Sequence, residues 1–166
     1  MADIRKITFE KLPENSEELR GMPQFDQHDQ FSMAALLPAV LCRYDDSPQD
    51  TIDMLNVLRG SRNMSPYDLQ FLRDRMTGKA YIARSYFEGA VPENNYKPSV
   101  PYTVTVSDNL YSYTDSLEGY VKLDIRSSGA DSPRQVQLRQ KGGLWFLWEN
   151  FLMADIKAPE GTGEWQ

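Results

Sequence analysis

From Asp29 onward the apolar positions take a helical spacing. Phe31, Ala34, Ala35, Leu37, Val40 and Leu41 fall close to one stripe at 3.6-residue intervals. Pro38 interrupts this run and predicts a kink or a restart. Two further helix starts repeat one chemistry, Ser47-Pro48-Gln49-Asp50 and Ser65-Pro66-Tyr67-Asp68. In each, the serine can accept a bond from an orphan N–H, and proline at the first helical position wastes no donor. The aspartate three residues on can bond back and suits the positive end of the helix dipole. The first of these helices is expected from Pro48 to about Arg59, ending at Gly60, with Ile52, Leu55 and Leu58 inward. The second runs from Pro66 to about Thr77, ending at Gly78, with Leu69, Leu72 and Met76 inward.

The pattern then shifts to a period of two. Ala80–Arg84 reads as a strand, Tyr102–Val106 alternates with threonine, and Val121, Leu123 and Ile125 alternate with charged residues. Val136 and Leu138 do the same, and Gly142-Gly143 joins that strand to Leu144–Trp148 as a hairpin signal. Leu144–Trp148 is apolar on both faces, so a central or doubly covered strand with at least one buried tryptophan is expected. A short helix is expected around Asn150–Ile156. Helices first and strands last define an α+β class: helices on one face of a C-terminal antiparallel sheet of about four strands.

Residues 1–28 are polar and weakly periodic and read as a loosely attached arm, although Ile7 and Phe9 alternate as a short edge strand would. Residues 29–158 form the α+β domain, and 159–166 a frayed polar tail. The stretch Glu88–Pro101 is long and irregular, yet it is flanked and filled by Tyr86, Phe87, Tyr96 and Tyr102. Disordered segments are poor in aromatics, so this loop is expected to be ordered and packed beside the loop Arg126–Arg134. Asn94 and Asn95 are expected to satisfy its backbone groups, and the tyrosines to anchor its ends.

Composition sets the outer limits. The chain has 166 residues, 24 acidic against 18 basic, for a formal charge of −6. Such a balance disfavours phosphate backbones, so no nucleic-acid partner is expected. No apolar run approaches a membrane span, and the N-terminal stretch lacks an apolar signal core. With a single cysteine, Cys42, there is no disulfide framework, and a cytoplasmic setting is expected.

Candidate chemistry is sparse. His28, the only histidine, reads as an exposed loop residue beside a helix start. Cys42 lies in an apolar run and reads as a small hydrophobe. The carboxylate pairs Glu17-Glu18, Asp45-Asp46 and Asp50/Asp53 read as caps and solvated faces, so no catalytic residue, cofactor or metal is expected. The loop Arg126–Arg134 is the most suggestive segment, with Ser128, Gly129 and Asp131 between two arginines. Its simplest reading is a polar hairpin loop, with Asp131 in an Asx-turn and the arginines paired with acids. Its sharper reading is an anion nest reinforced by guanidiniums. On that reading Tyr86, Asn94, Asn95, Tyr96, Arg126, Ser128, Asp131 and Arg134 form a recognition surface for an acidic peptide or a small anionic ligand. A non-catalytic binding module is therefore the leading functional expectation. The alternative is a small-molecule enzyme with its pocket between helices and sheet.

The segments SPYDLQFLRDRMTGKAY, SYFEGAVPENNYKPSVPY, RSSGADSPRQVQLRQK and WFLWE carry a resemblance. Over about residues 47–158 the chain resembles an uncharacterised family of Gram-positive bacterial proteins, a domain of unknown function. The resemblance implies a soluble bacterial domain and transfers no activity or site. A helix pair followed by a sheet with a Trp-rich last strand is also broadly similar to nuclear-transport-factor-like folds.

Overall fold

A run with no polar face forms the centre of the molecule. The computed structural model describes residues 3–60, 62–109, 111–113 and 119–159. In it, the first strand β1 (Ile4–Phe9) and a short helix α1 (Ser16–Arg20) precede the central helix α2 (Gln30–Leu41). Eleven of the twelve residues of α2 are buried, so it is covered on every side rather than along one stripe. Asp29 caps it, accepting from the Phe31 N–H at 3.0 Å and the Ser32 hydroxyl at 3.0 Å. The helix does not restart at Pro38: it runs through as one element, held by the packing around it.

The two repeated helix starts are realised as α3 (Pro48–Arg59) and α4 (Pro66–Met76). Ser47 accepts from the Asp50 N–H at 3.2 Å. Ser65 and Asp68 form a full capping box, with reciprocal bonds of 3.1 and 3.0 Å. Burial alone would raise the Asp68 carboxyl; its bonds to Ser65 and the charge of Arg59 outweigh this and hold it below its ordinary value. Ser65→Ala should therefore destabilise the protein by about 1 kcal/mol, read from urea midpoints. An unchanged midpoint would show that the box contributes nothing.

Ala80–Arg84, expected as a strand, is instead a helical turn, α5 (Tyr81–Arg84). Alanine is a poor strand former, and the turn, with Ala83 buried in the core, sits against α2. The sheet follows: β2 (Tyr102–Ser107), β3 (Tyr120–Ile125), β4 (Arg134–Lys141) and β5 (Leu144–Asn150). With β1 these make a five-stranded antiparallel meander in the order β1-β2-β3-β4-β5. The α+β class holds, with one strand more than expected. That strand lies in the supposed arm, which is not loose: β1 pairs with β2 along its length, and Phe9 and Leu19 are fully buried in the core. Its partner lies 95 residues further along the chain, so no local pattern reveals the attachment.

Val104, Val106, Val121, Leu123, Ile125, Val136 and Leu138 point inward, against α2. Gly142 and Gly143 both take positive φ, 61° and 81°, as the primed turn of the β4–β5 hairpin requires. β5 is an edge strand rather than a central one. Of its apolar residues Leu147 is buried, while Trp145 and Trp148 are only half-buried. A register shift leaves Trp148 as the extra residue of a bulge. The chain between α3 and α4 covers it: the Arg62 guanidinium lies 4.1 Å from its ring centroid, and Tyr120 meets it edge-on. Residues Asn150–Ile156 form turns and extended chain rather than a helix. Of the expected tail 159–166, residues 160–166 lie outside the described residues.

Candidate functional site

The sheet forks at β2. Val106 and Ser107 pair with Ile125 and Asp124 of β3. Two residues earlier, Val104 bridges to Phe87, and the Glu88 N–H donates to the Thr103 carbonyl at 2.9 Å. The chain after β3 therefore diverges from the chain after α5, and a cleft opens between them on the helix-free face. Its volume is about 770 Å³. The register sets its floor: Lys6 lies opposite Thr105, and the Arg126 N–H donates to the Thr105 carbonyl at 3.2 Å. Lys6, Thr105 and Arg126 thus form one row across β1, β2 and the residue after β3, with Ser107 beside it.

The walls are tied together behind the cleft. The buried Ser85 hydroxyl donates to the Ile82 carbonyl at 2.7 Å and accepts from the Ser127 hydroxyl at 2.8 Å. The Ser128 N–H donates to the Ser85 carbonyl at 3.1 Å, and its hydroxyl donates to the Ala90 carbonyl. The loop Glu88–Pro101 packs beside Arg126–Arg134, with the Ser128 hydroxyl on the Ala90 carbonyl joining the two.

Asn94 secures that loop. Its side chain accepts from the Val91 and Lys97 N–H groups, both at 3.0 Å, and donates to the Gly89 carbonyl at 2.8 Å. Asn95 contributes backbone only: it takes φ 60°, and its carbonyl accepts from Arg84. Tyr86 and Tyr96 are buried pins. Tyr86 donates to the Leu152 carbonyl, and Tyr96 to the Lys157 carbonyl at 2.6 Å while stacking on Tyr81.

The two arginines have different fates. Arg134 is spent on structure, donating to the carbonyls of Ala154 at 2.9 Å, Asp155 at 3.1 Å and Ser132 at 3.2 Å. Its guanidinium is thus committed to backbone carbonyls, and it pairs with no acid among the described residues. The guanidinium of Arg126 lines the cleft with no hydrogen bond or ion pair among the described residues. Asp131 is exposed and makes no Asx-turn bond there either. The amides of Ser128 and Gly129 are already bonded to Ser85 and Ser127 and are not available to an anion. Of the eight sequence candidates, Arg126 and Asp131 keep free charged ends at the cleft, and the others hold its walls.

Lys6, Thr105 and Ser107 were missed. The alternation in Tyr102–Ser107 places Thr105 and Ser107 on a polar face, but only the β1–β2 register brings Lys6 beside them. Lys6 also pairs with Glu88 at 3.4 Å, an exposed contact. His28 is an exposed loop residue, and no group of three metal-ligating side chains occurs among the described residues. Burial pushes the Cys42 thiol up to about 12, against the lowering charge of Arg84, so it is no thiolate. A second depression, about 360 Å³ between α4 and the end of β5, is lined mainly by apolar side chains, and its Arg59 is paired with Asp68 at 3.2 Å. The space between helices and sheet holds packed core side chains, among them Leu36, Leu37, Val104 and Leu123.

Fold and cleft together define an α+β domain with helices on one face of an antiparallel meander and a polar cleft on the other. The family model for a domain of unknown function, DUF6935, matches residues 11–160, and the chain belongs to that family. No curated protein and no solved structure matches the chain. No helix among the described residues is long and apolar enough to cross a membrane.

Proposed function

We propose that this domain is a non-catalytic binding module whose outer-face cleft holds the anionic group of a small carboxylate or phosphate ligand. One observation carries the reading: Arg126 presents at the cleft a guanidinium unpaired among the described residues, in the row it shares with Thr105 and Lys6. A planar guanidinium grips a carboxylate or phosphate with two parallel bonds. The hydroxyls of Thr105 and Ser107 supply neutral donors beside it. A catalytic reading draws less support, since the Ser85 and Ser127 hydroxyls already donate within the wall. The reading places the domain in a bacterial cytoplasm, where a lone thiol stays reduced.

Calorimetric titration with inorganic phosphate and with succinate tests this. Arg126→Ala should weaken binding by roughly tenfold to a hundredfold, the worth of one charge-assisted contact. Arg134→Ala should leave affinity unchanged and lower stability instead. A parent protein that binds neither anion, or an Arg126→Ala variant that binds as the parent does, overturns the proposal.

A further inference from the structure

The two edges of the sheet are treated differently. The β5 edge is closed: the Trp145 N–H donates to the Gln27 carbonyl at 2.8 Å, and Arg62 donates to the Trp148 carbonyl. The β1 edge is open. The carbonyls of Thr103 and Thr105 accept bonds on the side of β2 away from β1, from Glu88 and Arg126. Their register partners Thr8 and Lys6, and Ile4 two residues earlier, must then turn their own N–H and C=O groups away from β2. The Thr8 carbonyl is covered by the Gln24 amide at 2.6 Å. The backbone groups of Ile4 and Lys6 have no partner among the described residues, and the Ile4 side chain is 68% exposed. An open edge with unpaired donors and acceptors is a template for one more strand.

We infer that β1 receives an extended peptide with adjacent carboxylate side chains, added as a sixth strand. Charge favours this occupant over a second copy paired at the middle of the open stretch. Antiparallel self-pairing centred on Arg5 or on Lys6 sets that cation directly opposite its own copy. Like charges directly opposite are unfavourable. A strand bearing neighbouring glutamates meets Lys6 on one face and Arg5 on the other. Both cations are more than half exposed, and their present acids, Glu88 and Asp29, sit at 3.4 and 3.9 Å as exposed or partly exposed pairs that a ligand carboxylate can replace. The inference shares Ile4 and Lys6 with the cleft but does not rest on Arg126, because its energy lies in main-chain bonds along β1.

Fluorescence anisotropy of a dye-labelled peptide with two adjacent glutamates between β-branched residues tests it. The same peptide N-methylated at alternate amides should bind at least roughly tenfold more weakly, the cost of lost main-chain bonds. Ile4→Pro, which removes only an outward donor on an edge strand, should weaken binding similarly. Arg126→Ala should leave it unchanged, whatever that variant does to phosphate. Amide exchange at Ile4 and Lys6 should slow when peptide is present. Equal binding of the N-methylated peptide, no binding of the parent peptide, or loss of binding in Arg126→Ala overturns the inference. So does a dimer of the free protein with the Lys6 amide protected. Should Ile4→Pro fail to fold, the N-methylated peptide still decides on the unaltered protein.

Discussion

Tyr86→Ala should lower the free energy of unfolding by about 3–5 kcal/mol, the range for removing a buried aromatic ring. The ring is 2% exposed and lies where the chain leaves α5 and enters the wall of the cleft. Its hydroxyl donates to the Leu152 carbonyl, which belongs to the segment after β5. Burial raises the phenol above its ordinary range, and the charge of Arg134 offsets only part of this, so the hydroxyl remains a donor at neutral pH. Tyr86→Phe keeps the ring but strands that carbonyl, and should cost about 1–3 kcal/mol. Urea midpoints of the two variants separate packing from hydrogen bonding. If both midpoints match the parent, Tyr86 is not a pin.

The same segment is held at two more points, by Tyr96 on the Lys157 carbonyl and by Arg134 on the carbonyls of Ala154 and Asp155. Loosening one tie should speed amide exchange from Leu152 to Lys157 before global unfolding. The wall of the cleft is thereby coupled to the C-terminal segment through three side chains that sequence reasoning had gathered as one recognition surface. Their proximity was legible, since a long loop rich in aromatics needs something to pack on. Their roles were not, because a buried tyrosine and a ligand-binding tyrosine look alike in sequence. Only the location of the acceptor distinguishes them.

The fold was legible to different depths for similar physical reasons. Ser47, Ser65, Gly60 and the pair Gly142-Gly143 act through neighbours a few residues away, so the ends of α3, the start of α4 and the β4–β5 turn could be read directly. The place of β1 and the exposure of Trp145 and Trp148 depend on which strand lies at the sheet edge. That is decided by pairing between distant segments, Ile4–Phe9 with Tyr102–Ser107. The row Lys6, Thr105, Arg126 has the same origin. In Ala80–Arg84 the alternation is too short to separate a strand from a single helical turn, and in the fold that turn packs against α2 with Ile82 and Ala83 buried.

Gly60→Ala should cost about 2–5 kcal/mol, combining backbone strain with overpacking against a ring. Gly60 ends α3, donating to the carbonyls of Asn56 and Val57, and takes φ 74° with ψ −124°, a region that side chains avoid. A Cβ there would lie 2.6 and 2.8 Å from two carbons of the Phe146 ring. In the segment from Arg62 to Met64, Arg62 lies over Trp148 and donates to its carbonyl, and the Met64 N–H donates to the Asn56 side chain at 2.9 Å, which closes the β5 edge. Gly78 is the comparison: it also has positive φ, 70°, but open space around it. Gly78→Ala should therefore carry the backbone cost alone, about 1–2 kcal/mol. A double-mutant cycle with Phe146→Ala separates the two contributions, because shrinking the ring should recover the overpacking part of the Gly60→Ala loss and leave the strain. Equal midpoint shifts for Gly60→Ala and Gly78→Ala, or a cycle with no coupling to Phe146, would remove the ring contact from the account of how α3 is joined to β5.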